Sequence, residues 1–442
     1  MRSRNSWAAG AVGAAAALLA VTACAGGGSA STSASTSTSS SPAAITKPVT
    51  ITFDEVEAAG SLKSAMASIV KSFEAANPKI TVSLTAYATY GPLLTAEKAQ
   101  IAAGHAPTLG QAYESWAETF AQSGSIVPIS DLAGTSSPAE LSTFYTGVQK
   151  DLLLPDGKLW MWPFSKSLQL LFYNATLLKN DGIGVPTTWT QFATALKKSS
   201  KAGVIGTTID PGSTAAQTSG EEWLEELAAA NGTPVYTATG TPQFTSQAAE
   251  SALQYLVTLK KEGALATGTN YPGETALGAK KGLVDISSSA GYYYEAQSVG
   301  NKFPLTTTVL PSGPSGAPDM MAGGNLVVFS SATAEQKAAA WKFMQYLASP
   351  AIQAQWSAQT GYYPVTAQAL TESAMATYLS QNPWVKTTIG GLNDAIIDPP
   401  YTWITQCGGY LSNALSAALS GTSVSSALST AQNACTSAKN NA

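Results

Sequence analysis

Residues 49–84, VTITFDEVEAAGSLKSAMASIVKSFEAANPKITVSL, contain the pattern that decides the fold. Residues 49–53 form a short β-branched run, and apolar residues then recur at helical spacing across 62–73, ending at Asn77-Pro78. Beyond the proline, apolar and polar residues alternate across 80–84, as in a half-buried strand. The stretch therefore predicts a β-α-β unit.

The same alternation of strand and helix continues along the chain. Residues 92–103 have a helical pattern, 108–113 a strand pattern and 115–122 another helical pattern. This order predicts a mainly parallel sheet covered by helices, with a ligand beyond the carboxyl ends of its strands. Later helices are expected at 221–230, 247–262, 334–348 and 350–360, and strands at 168–173 and 326–330.

The amino-terminal region has the features of a secretory signal. Arg2 and Arg4 precede an apolar run at residues 7–20, which is too short to span a membrane. Residues 21–24, Val-Thr-Ala-Cys, resemble the lipobox of bacterial lipoproteins, in which the cysteine is acylated. We expect a signal peptide at 1–23 and a lipid anchor at Cys24; the alternative is an ordinary signal peptide with an incidental cysteine.

The composition divides the remainder into a tether and a globular part. Residues 24–47 are nearly all Ser, Thr, Ala and Gly, so they cannot bury enough surface to fold. Residues 48–442 suffice for two compact units. The net charge is −4, and Arg2 and Arg4 are the only arginines, so the globular part has no guanidinium group. Nucleic-acid binding is therefore excluded, and phosphate recognition would depend on lysine alone.

Cys407 and Cys435 lie close together near the carboxyl end. In an exported protein such a pair favours a structural disulfide, with two free thiols or a metal pair as the alternatives. A metal site would need more ligands, and the chain has one histidine. We expect no metal and no cofactor.

No catalytic motif stands out. The acidic residues Glu221, Glu222, Glu225 and Glu226 favour a solvated helix face, although a pair of carboxylates could also serve glycoside hydrolysis. Amphipathic aromatic residues are abundant instead, with 10 Trp and 17 Tyr. Rings with a polar tip beside turn residues suit a carbohydrate, although core or interlobe packing is the alternative for any single ring.

Six segments in a fixed order resemble the extracellular solute-binding lipoproteins of carbohydrate ABC importers, family 1, particularly the branch that includes glycerol-phosphate binders. The segments are SFEAANPKITV (72–82), AQIAAGHAPTLGQAYESW (99–116), LWMWPFSKSLQLLFYNATLLKNDGIGVPTTWTQF (159–192), MMAGGNLVVFS (320–330), AAAWKFMQYLASPAIQAQW (338–356) and TGYYPVT (360–366).

The resemblance implies an α/β, two-lobed periplasmic-binding-protein-like fold with a hinge and an interlobe cleft. We expect a first lobe at 48–160 plus 282–332 and a second at 161–281 plus 333–442. A protein of this kind captures a carbohydrate by hinge closure and delivers it to the membrane subunits of a permease. It is a monomer without enzymatic activity, held by its lipid anchor on the extracellular face of the bacterial membrane.

The resemblance also transfers ligand-binding positions to this sequence. The transferred positions are Tyr90, Glu114, Ser167, Ser288, Ser289, Gly324 and Tyr362. We add Trp223 as a platform on which a sugar ring could stack. We expect Tyr90 and Glu114 in one lobe, and Ser167, Trp223 and Tyr362 largely in the other.

Two departures bear on the ligand. Asp54-Glu55 stands where the glycerol-phosphate branch has an aromatic residue, and the segment 387–401 lacks the arginine which that branch uses near its ligand. Acids there repel phosphate but accept hydrogen bonds from hydroxyls. The sequence therefore favours a neutral sugar or oligosaccharide, with glycerol-3-phosphate or a glycerophosphodiester as the alternative ligand and a surface glycoside hydrolase as the alternative class.

Overall fold

The computed structural model of the protein describes residues 44–201, 203–212 and 220–442. The predicted signal peptide, Cys24 and most of the predicted tether lie outside these residues. Ser40–Ala442 forms one compact unit. In the described part of the chain, no helix is both long and apolar enough to cross a membrane.

The β-α-β unit predicted from residues 49–84 is confirmed. Strand β1 (Val49–Glu55) is followed by helix α1 (Gly60–Ala76) and strand β2 (Ile80–Ala86), which pairs with β1 in parallel. Helix α1 buries the face that carries Met66 and Phe73, as the helical spacing of its apolar residues requires.

The predicted alternation of strand and helix continues to residue 122, and beyond it several helices or strands follow one another directly. The later strands of the described residues are β3 (Leu109–Ala112), β4 (Trp162–Pro163), β5 (Ser167–Asn174), β6 (Thr207–Ile209), β7 (Leu265–Thr267), β8 (Val284–Ser288), β9 (Leu305–Thr308), β10 (Met321–Ala322) and β11 (Asn325–Val328). The later helices are α2 (Tyr90–Ala102), α3 (Glu114–Gln122), α4 (Ile129–Ala133), α5 (Thr146–Asp151), α6 (Ala175–Asn180), α7 (Trp189–Ser199), α8 (Gly220–Ala230), α9 (Gln247–Lys261), α10 (Pro272–Gly278), α11 (Tyr292–Val299), α12 (Ala334–Leu347), α13 (Pro350–Thr360), α14 (Ser373–Gln381), α15 (Val385–Thr388), α16 (Ile404–Leu419) and α17 (Val424–Asn440).

The described strands form two main sheets. The first has the order β2-β1-β3-β11-β4, in which β1, β2 and β3 run parallel while β11 runs antiparallel to β3 and β4. In the second sheet β5 pairs antiparallel with β8, β9 and β10. The parallel arrangement predicted from the opening segment is confirmed for the first three strands. Of the later strands, β6 and β7 pair in parallel in a separate two-stranded sheet, and the other pairings are antiparallel.

Two hydrophobic cores define two lobes. We use "first lobe" for residues 44–164 and 324–397 and "second lobe" for residues 167–319 and 398–442, according to the core to which most of their buried residues belong. Strand β5 is buried along its whole length and contributes to both cores: Leu170 and Phe172 belong to the first, Leu171 and Tyr173 to the second.

The predicted lobe boundaries differ from these cores. Helices α12 to α15 were assigned to the second lobe, but they pack in the first. Phe343 of α12 contacts Phe53 of β1 and Phe73 of α1, with ring centroids 6.1 and 4.8 Å apart. An amphipathic pattern shows that a helix covers a core but does not show which core, so the sequence does not distinguish the two lobes for these helices.

The segments that cross between the lobes are hydrogen-bonded to one another. Strand β10 pairs with the start of β5. The Ile396 amide donates to the Asp319 carbonyl over 2.8 Å, and the Met321 amide donates to the Ile396 carbonyl over 3.0 Å. Gly323 has φ +108°, and a side chain there would meet the Ser165 carbonyl at 2.0 Å. These crossing segments form the hinge region of the fold.

A disulfide joins Cys407 of α16 to Cys435 of α17, with the Cα atoms 4.9 Å apart. This pairing agrees with the prediction of a structural disulfide. Helix α16 also packs on α8 and α9, so the disulfide lies in the second core.

Candidate ligand-binding cleft

A cavity of about 410 Å³ lies between the two lobes, and we call it the tyrosine cavity. Tyr90, Tyr113 and Tyr362 line it from the first lobe. The second lobe contributes polar and aromatic residues from β5, β8, α10 and α11, among them Ser167, Gln169, Tyr271, Glu274, Ser287, Ser288, Tyr294 and Glu295. The volume is in the range of small-molecule sites. Four of the transferred positions, Tyr90, Ser167, Ser288 and Tyr362, therefore meet at one cavity.

Tyr90 is fixed at the start of α2 by the hinge. Its hydroxyl accepts a hydrogen bond of 2.8 Å from the Gly324 amide, and its ring lies 4.8 Å from that of Tyr113. A Cβ atom at Gly324 would lie 3.1 Å from the Tyr90 ring, so the glycine permits this close packing. Gly324 therefore positions Tyr90, while the neighbouring Gly323 lines the cavity.

Tyr362 follows α13 and lies in the first lobe, which corrects its expected placement opposite Tyr90. Its ring stacks on Trp356 at 5.9 Å with an interplanar angle of 14°. Gly361, at φ +84°, ends the helix and turns the chain towards the cleft. Packing of α13 in the first core decides this placement.

The second-lobe wall is built from strand ends. Ser167 begins β5, and Ser287 and Ser288 end β8. Tyr271 has a positive φ of 56° at the start of α10, an uncommon conformation for a bulky residue, and its side chain is 45% exposed at the cavity. Sequence reasoning missed Tyr271, because Tyr-Pro-Gly shows a helix start but not where the ring points.

A second cavity of about 480 Å³ continues from the first, and we call it the acidic cavity. Both are lined by Tyr113, Glu222 and Ala322, so together they form one cleft. The acidic cavity is lined by Glu114, Glu221, Glu222, Glu225 and Asp398, together with Trp116, Tyr236 and residues of α16. Among the described residues, no lysine or histidine lines either cavity.

Glu114 belongs to a buried polar network as well as to the cavity wall. Its carboxylate accepts from the Asn325 side chain over 3.2 Å, and that amide also donates to Asp151 over 2.7 Å. Burial raises the pKa of Glu114, the charge of Asp151 raises it further, and the Lys166 ammonium opposes the shift. Only 6% of Glu114 is exposed, so its main contacts are internal.

The prediction that the acids of α8 form a solvated face is wrong. Glu225 and Glu226 are buried, and the Glu226 carboxylate accepts from the Met320 amide over 3.2 Å. The helix begins at Gly220, where a Cβ atom would lie 2.7 Å from Ile209, so α8 is held closely against the second core. This packing directs the acids towards the cleft.

The acids raise one another's pKa. Burial is the main cause of the raised pKa of Glu222 and of Glu225, and the charges of neighbouring carboxylates raise both pKa values further. Burial likewise raises the pKa of Asp398 to about 6, and the charge of Asp151 adds to this.

Three predicted site residues line neither large cavity: Gly324, which packs against Tyr90 as described above, Trp223 and Ser289. Trp223 is 4% exposed and packs edge-on against Phe192 in the second core, so its ring is not available as a stacking platform. Its position on the apolar side of α8 explains this. Ser289 is fully buried at the start of a 3-10 turn, behind Ser288.

A family model described as bacterial extracellular solute-binding protein matches residues 68–384. The chain belongs to this family. A sn-glycerol-3-phosphate-binding periplasmic protein of Pectobacterium atrosepticum is 26% identical over 73% of this chain and 75% of its own length. A second sn-glycerol-3-phosphate-binding periplasmic protein, from Rhizobium meliloti, is 23% identical over 68% of this chain and 72% of its own length.

Solved structures of sugar-binding and glycerophosphocholine-binding proteins share the fold. The GacH receptor of Streptomyces glaucescens, solved unliganded and with acarbose, has a TM-score of 0.76 and 20% identity, over 89% of this chain and 98% of that one. UgpB of Mycobacterium tuberculosis, in complex with glycerophosphocholine, has a TM-score of 0.78 and 20% identity, over 89% of this chain and 98% of that one. These likenesses establish the two-lobed α/β fold for this solute-binding protein.

Proposed function

We propose that this solute-binding protein captures a carbohydrate between its lobes and delivers it to the membrane subunits of an ABC importer. The tyrosine cavity is the observation that carries the proposal. Tyrosines from the first lobe face serines, Gln169 and further tyrosines from the second. Rings that pack on sugar faces and small polar groups that bind hydroxyls are the usual elements of a carbohydrate site.

The cleft supports a carbohydrate over a phosphate ester. The curated relatives include proteins named for sn-glycerol-3-phosphate, which makes that ligand the second candidate. A phosphate needs cationic or amide donors, yet the two cavities have no lysine or histidine among the described residues and several carboxylates. Carboxylates repel phosphate and accept from sugar hydroxyls, so the acidic lining favours the sugar.

Binding without chemical change is part of the proposal. A glycoside hydrolase needs one carboxylic acid and one free carboxylate on opposite sides of the bond that breaks. Glu221, Glu222, Glu225 and Asp398 are grouped on the second-lobe side of the cleft. Glu114 lies on the first-lobe side, but it is 6% exposed and accepts a hydrogen bond from Asn325, so it is not a free carboxylate. This arrangement supports a receptor.

The proposed location of the protein follows from its amino-terminal segment. A lipid on Cys24, followed by a Ser/Thr-rich tether, would hold a monomeric receptor at the extracellular membrane face, within reach of its permease.

A thermal-shift panel tests the function with residues 40–442. The panel contains maltose, maltotetraose, cellotetraose, glycerol-3-phosphate and glycerophosphocholine, and every sugar is recovered and analysed after binding. We expect a sugar to stabilise the protein, by about 2.7 kcal/mol at a hundredfold excess over its Kd, and to be recovered intact. Stabilisation by a phosphate ester alone would contradict the carbohydrate assignment, and a cleaved sugar would show an enzyme.

A further inference from the structure

Three carboxylates of the acidic cavity have no ion pair with a lysine of the described residues. Glu222, Glu225 and Asp398 line it, and every lysine of the chain lies within the described residues without lining the cavity. The ion pairs of the described residues involve other carboxylates.

The hydrogen bonds to these acids come from neutral groups. The Gln169 side chain donates to Glu222, and the Ser412 hydroxyl donates to Glu221. Within the described part of the chain, Glu225 and Asp398 receive no hydrogen bond. Glu225 is 6% exposed, and a buried carboxylate normally has a cation or several donors, so Glu225 can accept hydrogen bonds from a ligand.

A separate observation at the same cavity points to a ligand. Tyr236 is 7% exposed and lines the acidic cavity, yet its hydroxyl has no hydrogen-bond partner among the described residues. A buried hydroxyl without a hydrogen-bond partner destabilises the protein, and a ligand that supplies a partner removes this cost. A bound group with N–H donors can give one to the Tyr236 oxygen and the others to Glu225 and Asp398.

The opposite wall suits a cation as well. Tyr113 and Trp116 of the first lobe line the cavity, with ring centroids 5.3 Å apart and an interplanar angle of 76°. Aromatic faces attract ammonium groups. Closure of the lobes therefore brings aromatic rings and carboxylates to the same ligand group.

We infer that the acidic cavity binds a protonated amine of the ligand, whose neutral rings occupy the tyrosine cavity: the ligand is an amino-substituted oligosaccharide. The inference rests on the proposed function, because it identifies the class of sugar bound in the same cleft. In the described residues, no three His, Cys, Asp or Glu side chains are arranged to hold a metal ion. An ammonium group also matches the spread of acceptors over Glu225, Asp398 and Tyr236.

Calorimetry of residues 40–442 tests the inference. Each sugar of the panel above is titrated beside its 6-amino-6-deoxy derivative, which differs by one protonated amine. We expect an amine derivative to bind at least tenfold tighter than its neutral parent. Glu225→Gln should weaken binding of the amine derivative at least tenfold more than binding of the neutral parent, because only the derivative carries a positive charge that pairs with the carboxylate.

The matched control is Glu335→Gln, which removes the same charge from an exposed site on α12 and should change neither titration. A neutral sugar that binds as tightly as its amine derivative would overturn the inference and leave the proposed function standing. Absence of binding by every sugar and derivative would overturn both. Calcium chloride alone is the third arm: saturable binding that Glu225→Gln abolishes would show a metal site and overturn the amine assignment.

Discussion

At the scale of single residues, Lys166 explains how the buried acids of the hinge are tolerated. Its ammonium lies 2.5 Å from the Asp151 carboxylate and 3.0 Å from the Gly323 carbonyl, and its side chain is 1% exposed. Asp151 in turn accepts from Asn325, which also binds Glu114. Glu114 was predicted to bind ligand; the network shows why its loss would also disturb the hinge.

Replacement of Lys166 should therefore destabilise the fold. Lys166→Met leaves Asp151 and Glu114 buried without a cation, and breaking a buried ion pair costs about 3–5 kcal/mol. Urea denaturation measures this loss. The control is Lys201→Met, which breaks an ion pair with Asp181 in which the lysine is 60% exposed and should cost at most about 1 kcal/mol. Equal effects of the two substitutions would contradict the role given to Lys166.

Tyr90→Phe tests the contact between the cleft and the hinge. The change leaves the buried Gly324 amide without its acceptor and should lower the free energy of unfolding by about 1–3 kcal/mol. Tyr378→Phe is the matched control, because the Tyr378 hydroxyl is buried without a partner among the described residues. Denaturation curves that shift equally for both variants would argue against the hydrogen bond.

At the scale of elements, helix α8 determines the charge of the cleft. Its acids are close enough for each carboxylate to raise the pKa of its neighbours. The four acids in its sequence are compatible with a solvated face, and only the packing of Gly220 against the second core turns them inward. Burial of one helix thus changes a surface feature into a candidate binding wall.

The acids also predict how stability depends on pH. Burial raises the pKa of Asp398 from its ordinary value of 3.8 to about 6, so the folded state binds more protons than the unfolded state between these values. The unfolding free energy should therefore fall as the pH rises from about 4 to 6, by about 1.4 kcal/mol per pH unit from this group. Urea denaturation across this range measures the slope. Asp398→Asn should reduce it, and an unchanged slope in the variant would rule out this origin.

The disulfide between α16 and α17 stabilises the element that packs behind α8. In the chain-entropy model, a loop of this length contributes about 3–4 kcal/mol. The variant with both Cys407→Ala and Cys435→Ala should lose at least this much stability in calorimetric unfolding. Added reductant should lower the stability of the wild type towards that of the variant. The prediction would be contradicted if reductant exposed reactive thiols in the wild type but did not change its stability.

At the scale of the whole molecule, the two lobes are connected by crossing segments that are hydrogen-bonded to one another. The Ser115 and Thr405 hydroxyls, 2.9 Å apart, connect the first lobe to the second across the acidic cavity. A ligand shifts an open–closed equilibrium only through contacts made in the closed state, and this cleft offers contacts from both sides.

The lipid anchor proposed at Cys24 predicts where the protein is found. Wild-type protein produced in a Gram-positive bacterium should fractionate with membranes, whereas Cys24→Ser should be released into the medium, because the proposed acyl attachment depends on this one residue. Immunoblots of both fractions give the answer. A variant that stays with the membrane would contradict the lipobox interpretation, and Cys407→Ala is the control that removes a cysteine without affecting the anchor.

The sequence by itself determined the opening β-α-β unit and several later helices, and its composition is the basis of the proposed class of ligand. Apolar periodicity is local, so it predicted α1, α13 and the first strands nearly to the residue. The missing arginine is a property of composition and needed no structure.

Tertiary packing alone decided which lobe each late helix joined and which acids face the cleft. Helices α12 and α13 could cover either core by their pattern, and the ring contacts of Phe343 settle the choice. Trp223 and Glu225 lie on the same helix, two residues apart, yet the first packs against Phe192 and the second lines the acidic cavity. Side-chain direction on a helix depends on what packs against each face, and that information comes from residues distant in sequence.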